Sequence, residues 1–234
     1  MTTQNKNVRF EDLGQREYGP CWTYQETLFD QIITHKKKLR DDPTLGPTDN
    51  HLLFVEHPPV ITMGRSGQME HLLISDRQLR EKEVSFYKTN RGGDITFHGP
   101  GQLVGYPLLN LDNFFTDIHQ YLRFLEEVII LTLAEYGLSA TRSNGETGVW
   151  LDIDTPNARK ICAMGVRASR WVTMHGFALN VNTDLSYFDL IVPCGIQGKR
   201  VTSLAQELGH KVALEEVKAK VKSHFETVFE ATLI

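Results

Sequence analysis

Residues 91 to 107, Arg91-Gly92-Gly93-Asp94-Ile95-Thr96-Phe97-His98-Gly99-Pro100-Gly101-Gln102-Leu103-Val104-Gly105-Tyr106-Pro107, constrain this chain more than any other stretch. Five glycines and two prolines interrupt a pattern that otherwise reads as strand, with Ile95, Phe97, Leu103 and Val104 as its apolar members. Glycine in or beside a strand marks a bulge, a tight bend or a close approach of backbone to a ligand. Here the glycines flank an arginine, an aspartate and a histidine. The plainest account is a hairpin turned by Gly99-Pro100-Gly101; the alternative is a binding loop.

Elements on either side place this stretch among strands. Val8 to Leu13 alternates as a first strand, and Tyr18 to Leu39 carries an amphipathic helical pattern that ends in Lys36-Lys37-Lys38, where cations complement the helix dipole. His51 to His57 reads as a buried strand stopped by Pro58-Pro59. Ser75 is placed to cap a short helix through Lys82, and Val84 to Lys88 alternates. Asp117 to Tyr136 is the clearest helix, ended by Gly137. Strand-like runs follow over Gly148 to Ile153, Lys160 to Ala168 and Val172 to Val181. Leu185 to Lys199 is irregular, Thr202 is placed to cap a helix through Leu208, and Leu214 to Leu233 reads as a last helix. Strands and helices mixed without regular βαβ alternation predict an α+β fold with a mixed, mostly antiparallel sheet flanked by helices, in one domain over residues 1–234.

Composition narrows the class. The 234 residues carry a net charge of −4, which disfavours a nucleic-acid binder with a basic face. No apolar run approaches the ~20 residues of a membrane span, and the N-terminus lacks the apolar core of a signal peptide. Three cysteines, Cys21, Cys162 and Cys194, form no CxxC pair and fit a reducing cytoplasm. There is no HExxH, no GxxxxGK[ST] phosphate loop and no GxSxG elbow, so neither a metal nor a nucleotide cofactor is expected.

Two residues stand out chemically. Pro193 and Gly195 would hold Cys194 on a sharply turned segment, where a nearby cation or base would make its thiol a nucleophile. Lys160 opens an apolar run and becomes an acid or base if desolvated. His98 and His175 compete with it as partners for the thiol. The bland readings are a buried hydrophobic cysteine and a solvated lysine. Cys21 and Cys162 sit in apolar surroundings and read as core residues.

Four motifs together resemble one family, the lipoyl(octanoyl) transferases, which are octanoyl-carrier-protein:protein octanoyltransferases. They are Arg91 to Gln102, Lys160-Ile161-Cys162-Ala163-Met164-Gly165, His175 to Val181, and Pro193-Cys194-Gly195, in that order and with the family's lysine-to-cysteine spacing. The resemblance covers about residues 50 to 210. It implies a biotin/lipoate-protein-ligase-like fold and a covalent relay without cofactor. Cys194 would take the octanoyl group from octanoyl-acyl carrier protein as a thioester. A lysine on a lipoyl domain, in E2 subunits of 2-oxoacid dehydrogenases or the glycine cleavage H protein, would then take it as an amide. Lys160 would favour the thiolate and pass protons.

By the same resemblance Arg91, Gly92, Gly93, Asp94, Ile95, Thr96, Phe97, His98, Ala163, Met164 and Gly165 would wall an acyl tunnel closed by Gly176, Phe177 and Ala178. The glycines would leave room for a methylene chain beside backbone. Because acyl carrier protein is acidic, Arg65, Arg91, Arg159 and Lys199-Arg200 are candidates for a basic mouth. Three other readings are open to this sequence: an ATP-dependent lipoate or biotin ligase of the same fold, a cysteine hydrolase using His98 or His175, and a non-catalytic acyl- or protein-binding module. The cysteine–lysine pair and the absence of a GRGRxGR string favour the transferase.

Overall fold

The computed structural model describes residues 4–192 and 200–234, so Cys194 and Lys199 lie outside the described residues. In chain order the strands are β1 (Asn7–Gln15), β2 (His51–Glu56), β3 (Val60–Met63), β4 (Ser85–Lys88), β5 (Ile95–His98), β6 (Gln102–Leu108), β7 (Ala140–Arg142), β8 (Gly148–Leu151), β9 (Arg159–Ser169), β10 (Val172–Asn180), β11 (Arg200–Val201) and β12 (Thr232–Leu233). The helices are α1 (Tyr18–Asp41), α2 (Asp76–Glu81), α3 (Ile118–Ala134), α4 (Leu204–Leu208) and α5 (Leu214–Phe229).

Among the described residues nine strands form one sheet in the order β12-β1-β2-β6-β10-β9-β8-β7, with β11 beside β9. The pairs from β2 through β7 are antiparallel, whereas β1 runs parallel to β2 and β12, and β11 parallel to β9. The central strands β6 and β10 are buried along their whole length because both faces are covered. Helix α1 packs Cys21, Leu28, Phe29 and Ile32 against Val104, Tyr106 and Ala178 on one face. Helices α3 and α5 pack Leu125, Ile129, Val221 and Phe225 against Leu103, Phe177 and Leu179 on the other. A second sheet, β4-β3-β5, has its own core of Ile61, Leu79, Ile95, Phe97 and Phe188. The expected α+β fold with a mostly antiparallel sheet is what the chain forms.

The glycine-rich stretch is not a hairpin. Strand β5 pairs with β3 in the small sheet, and β6 pairs with β2 and β10 in the large one. Gly99-Pro100-Gly101 is therefore a corner between sheets. Gly101 has φ +78°, its carbonyl accepts Asn182 N–H at 2.8 Å, and a Cβ there would lie 2.7 Å from the Asn182 carbonyl. Only glycine combines that φ with that approach.

Local signals place most boundaries. Ser75 and Gln78 form a reciprocal capping box on α2, and Asp117 accepts the His119 and Gln120 N–H groups at the start of α3. Two boundaries differ from expectation. Ser203, not Thr202, caps α4, because the Thr202 hydroxyl is committed to Glu207 at 2.5 Å. The last helix stops at Phe229, four residues early, where Glu230 turns to φ +49° and the chain joins β1 as β12. Among the described residues no helix is long and apolar enough to cross a membrane.

Candidate functional site

The small sheet, the face of β6, β9 and β10, and the starts of α1 and α3 enclose a cavity of about 560 Å³, within the usual range for a small-molecule site. Arg91, Gly92, Gly93, Asp94, Ile95, Thr96, His98, Lys160, Ala163, Met164, Gly165, Gly176, Phe177 and Ala178 all line it. Three segments distant in sequence, 91–98, 160–165 and 176–178, thus converge. Phe97 does not line the cavity. It stacks on Tyr187 at 4.6 Å in the small sheet's core, because alternation along β5 turns it away from its neighbours.

Arg91 is an organiser of its loop. Only 8% exposed, it donates from Nη2 to the Thr62 carbonyl (2.8 Å), the Thr62 hydroxyl (3.0 Å) and the Asp94 carbonyl (2.9 Å), and from Nη1 to the Gly92 carbonyl (3.0 Å). The loop in turn docks on β9, with Gly92 N–H donating to the Val166 carbonyl at 2.8 Å. This docking corrects the expected purpose of the glycines. A Cβ on Gly165 would lie 2.6 Å from the Gly92 carbonyl, and one on Gly176 would lie 2.1 Å from the Gly105 carbonyl. At these two positions the absent side chain admits protein backbone, not a ligand chain.

Beyond the loop, a directed chain of hydrogen bonds crosses the buried floor. The Gln102 carboxamide nitrogen donates to the Phe97 carbonyl (3.2 Å) and to Asn180 Oδ1 (2.9 Å), so its oxygen faces His98 Nδ1 at 2.8 Å. Asn180 Nδ2 donates to the Thr202 carbonyl at 3.0 Å, and Thr202 N–H donates to the Lys160 carbonyl at 2.9 Å. Burial drives the His98 pKa down to about 3, with His57 and Arg91 adding repulsion. His57 falls to about 4 and His175 to about 3, again chiefly through burial. His175 sits at φ +59° inside β10, a left-handed conformation rare outside glycine. Its N–H is held by Gln25 Oε1 (3.1 Å) and its Nε2 lies 2.8 Å from Asn90 Oδ1.

Lys160 is 8% exposed. Its Nζ lies 3.7 Å from Glu146 Oε2 and 4.6 Å above the Trp150 ring centroid. The loop carrying Glu146 is fixed by Glu126, a fully buried carboxylate on α3 that accepts Gly148 N–H at 2.9 Å. Cys21 and Cys162 are buried free thiols; burial pushes Cys21 up to about 12 and Cys162 further. Two of the cations proposed for a basic mouth are not free surface charges. Arg91 is buried, and Arg159 holds Glu207 with two contacts of 2.6 Å and Asp152 with one of 2.5 Å. Arg65 and Arg200 are exposed.

The sequence reading did not place Tyr18, Tyr106, Ile118, Leu122, Glu146 or Val166 at the cavity, yet all line it. Ile118 and Leu122 stand one helical turn apart at the start of α3, a spacing visible in the sequence but shared with every core helix.

The model of the lipoyl protein ligase A/B catalytic domain matches residues 17–226. The octanoyltransferase of Christiangramia forsetii is 64% identical over 230 residues, covering 98% of both chains, and that of Flavobacterium johnsoniae is 63% identical over 231, covering 98% of this chain and all of its own. Among solved structures, the bipartite lipoate protein ligase of Thermoplasma acidophilum matches with TM-score 0.72 at 16% identity, over 98% of this chain and 86% of that one. A lipoate-protein ligase A bound with ATP matches with TM-score 0.69 at 15% identity, over 99% and 87%. At such identities the likeness is one of fold. The full-length matches above 60% are closer, and on them the chain belongs to the lipoyl protein ligase A/B catalytic-domain family and, within it, to the octanoyltransferases, a group of acyltransferase enzymes.

Proposed function

We propose that this chain acts in the cytoplasm as one catalytic domain, moving an octanoyl group from octanoyl-acyl carrier protein to the ε-amine of a lysine on a lipoyl domain, in E2 subunits of 2-oxoacid dehydrogenases and the glycine cleavage H protein. The relatives' shared activity supports octanoyl transfer in lipoylation. The observation that carries the chemistry is Lys160, a buried amine at the wall of a cavity whose apolar lining includes Ile95, Val104, Leu122, Met164 and Phe177.

In this reading Cys194 gives its proton to Lys160, and the thiolate attacks the donor's thioester carbonyl. The carrier thiolate leaves and takes a proton from the Lys160 ammonium. The acceptor amine then attacks the Cys194 thioester, loses its proton to Lys160 and expels the Cys194 thiolate. One thioester and one amine become one amide and one thiol. No phosphate chemistry is needed, since a thioester is already activated. Burying the acyl chain contributes about 0.8 kcal/mol per methylene, so cavity depth sets chain preference.

The test is intact mass after mixing with octanoyl-acyl carrier protein. The wild type gains one octanoyl group that a lipoyl domain removes, and Cys194→Ala gains none. Equal uptake by Cys194→Ala, or transfer only from octanoate with ATP, overturns the relay in favour of another nucleophile or an adenylating ligase.

A further inference from the structure

Strands β9 and β10 are joined by a two-residue loop whose residues suit its geometry poorly. Ser169 pairs with Val172, and between them Arg170 and Trp171 take φ +52° and +63°. Positive φ at both loop positions is what Asn-Gly supplies with least strain, whereas the Cβ atoms of an arginine and a tryptophan crowd the backbone there. The fold braces the loop from behind. Leu111 N–H donates to the Trp171 carbonyl at 2.7 Å, and Lys36 Nζ donates to the Arg170 carbonyl at 2.6 Å. On the outer side Arg170 is exposed and Trp171 is 42% exposed. Strain is thus retained at a solvent-facing tip, in two residue types that commonly anchor protein interfaces.

The loop borders a groove of about 780 Å³ between the end of α1, residues 43–48 and residues 110–113. Lys36, Lys37, Arg40 and Arg170 line it against a single acid, Asp112, on a chain whose net charge is −4. Asp112 pairs with Lys36 at 2.6 Å, and Asp41 beside the groove lies 3.3 Å from Arg40. Among the described residues no carboxylate pairs with Lys37 or Arg170, so the rim is positive. Val166 and His175, which line the catalytic cavity, stand four residues from the loop on either strand, about 13 Å along extended backbone. A lysine side chain does not span that distance, whereas the prosthetic arm of an acyl carrier does. We propose that the Arg170-Trp171 loop and the basic rim of this groove dock the acidic acyl carrier protein that delivers the octanoyl group, with Trp171 packing on the carrier and Lys37 and Arg170 meeting its carboxylates. This rests on the proposed identity of the donor.

Three variants test it: Trp171→Ala, the charge reversal Lys37→Glu with Arg170→Glu, and the strain-relieving pair Arg170→Asn with Trp171→Gly. Each is assayed with octanoyl-acyl carrier protein and, separately, with octanoyl-pantetheine, a small donor that keeps the arm and lacks the protein. Acceptor KM and melting temperature are measured alongside. KM for octanoyl-acyl carrier protein is expected to rise roughly tenfold or more in every variant, with kcat, octanoyl-pantetheine kinetics and lipoyl-domain KM unchanged. Charge reversal is also expected to flatten the salt dependence of that KM. The Arg170→Asn, Trp171→Gly pair is expected to melt above the wild type while still losing the carrier, which a loop serving only to close the hairpin would not do. An unchanged carrier KM, a rise in lipoyl-domain KM instead, or equal losses with octanoyl-pantetheine overturns the proposal. If one variant does not fold, the other two decide by the same criteria. Failure of the donor assignment is recognised separately, because the wild type then transfers nothing from octanoyl-acyl carrier protein.

Discussion

His98 Nδ1 and Gln102 Oε1 are 2.8 Å apart, and that contact fixes the histidine's chemistry. A carboxamide oxygen only accepts, so Nδ1 carries the proton and Nε2 presents a lone pair to the Thr62 hydroxyl at 3.3 Å. His98 is a neutral, oriented acceptor. Nitrogen NMR of labelled histidine is expected to show this single tautomer unchanged from pH 8 to pH 5; an imidazolium signal near pH 6 would contradict it.

The same burial makes the protein acid-sensitive. Burial holds His98, His57 and His175 at about 3, 4 and 3, below the ordinary histidine value of 6.5. The unfolded chain therefore binds protons on all three below about pH 6.5 while the native state does not. Their contribution is complete above that pH and is lost as pH falls towards 4 and 3, at about 1.4 kcal/mol per pH unit for each histidine. Urea midpoints are expected to fall steadily from pH 7 to pH 4 and to recover partly in His57→Gln.

Gly176→Ala and Gly46→Ala make a matched pair. The first puts a methyl 2.1 Å from the Gly105 carbonyl, while the second meets nothing within 4 Å. Gly176→Ala is expected to cost about 3 kcal/mol or more, and Gly46→Ala to change stability by less than about 1 kcal/mol, with either sign. Equal melting temperatures would show that β10 and β6 yield easily.

Glu126→Ala removes the acceptor of Gly148 N–H and the partner of Arg123 (2.9 Å) and Arg142 (3.3 Å). Both arginines are partly exposed and rehydrate, so the loss is dominated by the orphaned N–H, about 1–3 kcal/mol. Activity is expected to fall more than stability alone dictates, because the loop carrying Glu146 loses its anchor beside Lys160.

Cys21 and Cys162 are expected to resist iodoacetamide in the native protein at pH 8 and to react only after denaturation. Burial holds both as thiols. Mass mapping of the labelled peptides reads this directly.

Much of the fold was legible where chemistry is local. The Ser75 cap, the helix after Asp117, the Gly137 stop and the alternation of β1 follow from neighbouring residues. The order of motifs likewise brought Lys160, the Arg91 loop and Gly176 to one cavity. What was not legible is what distant segments do to one another. Gly99-Pro100-Gly101 reads as a hairpin turn until β5 and β6 are seen in different sheets. Gly165 and Gly176 read as space for a ligand until Gly92 and Gly105 fill it. Phe97 was assigned by motif, yet the pleat turns it into the core. Arg159 read as a free cation because Glu207 is far away in sequence.

Strands β2 and β6 are antiparallel neighbours, so everything between them, including the whole small sheet, is an excursion inserted into one hairpin of the large sheet. Breaking its contacts leaves every strand pair of the large sheet intact. Pairing in the large sheet therefore does not require the small sheet to be in place, although Phe188 and Ile191 from outside the excursion share its core. Amide exchange is therefore expected to be faster across residues 60–98 than in the central strands β6 and β10.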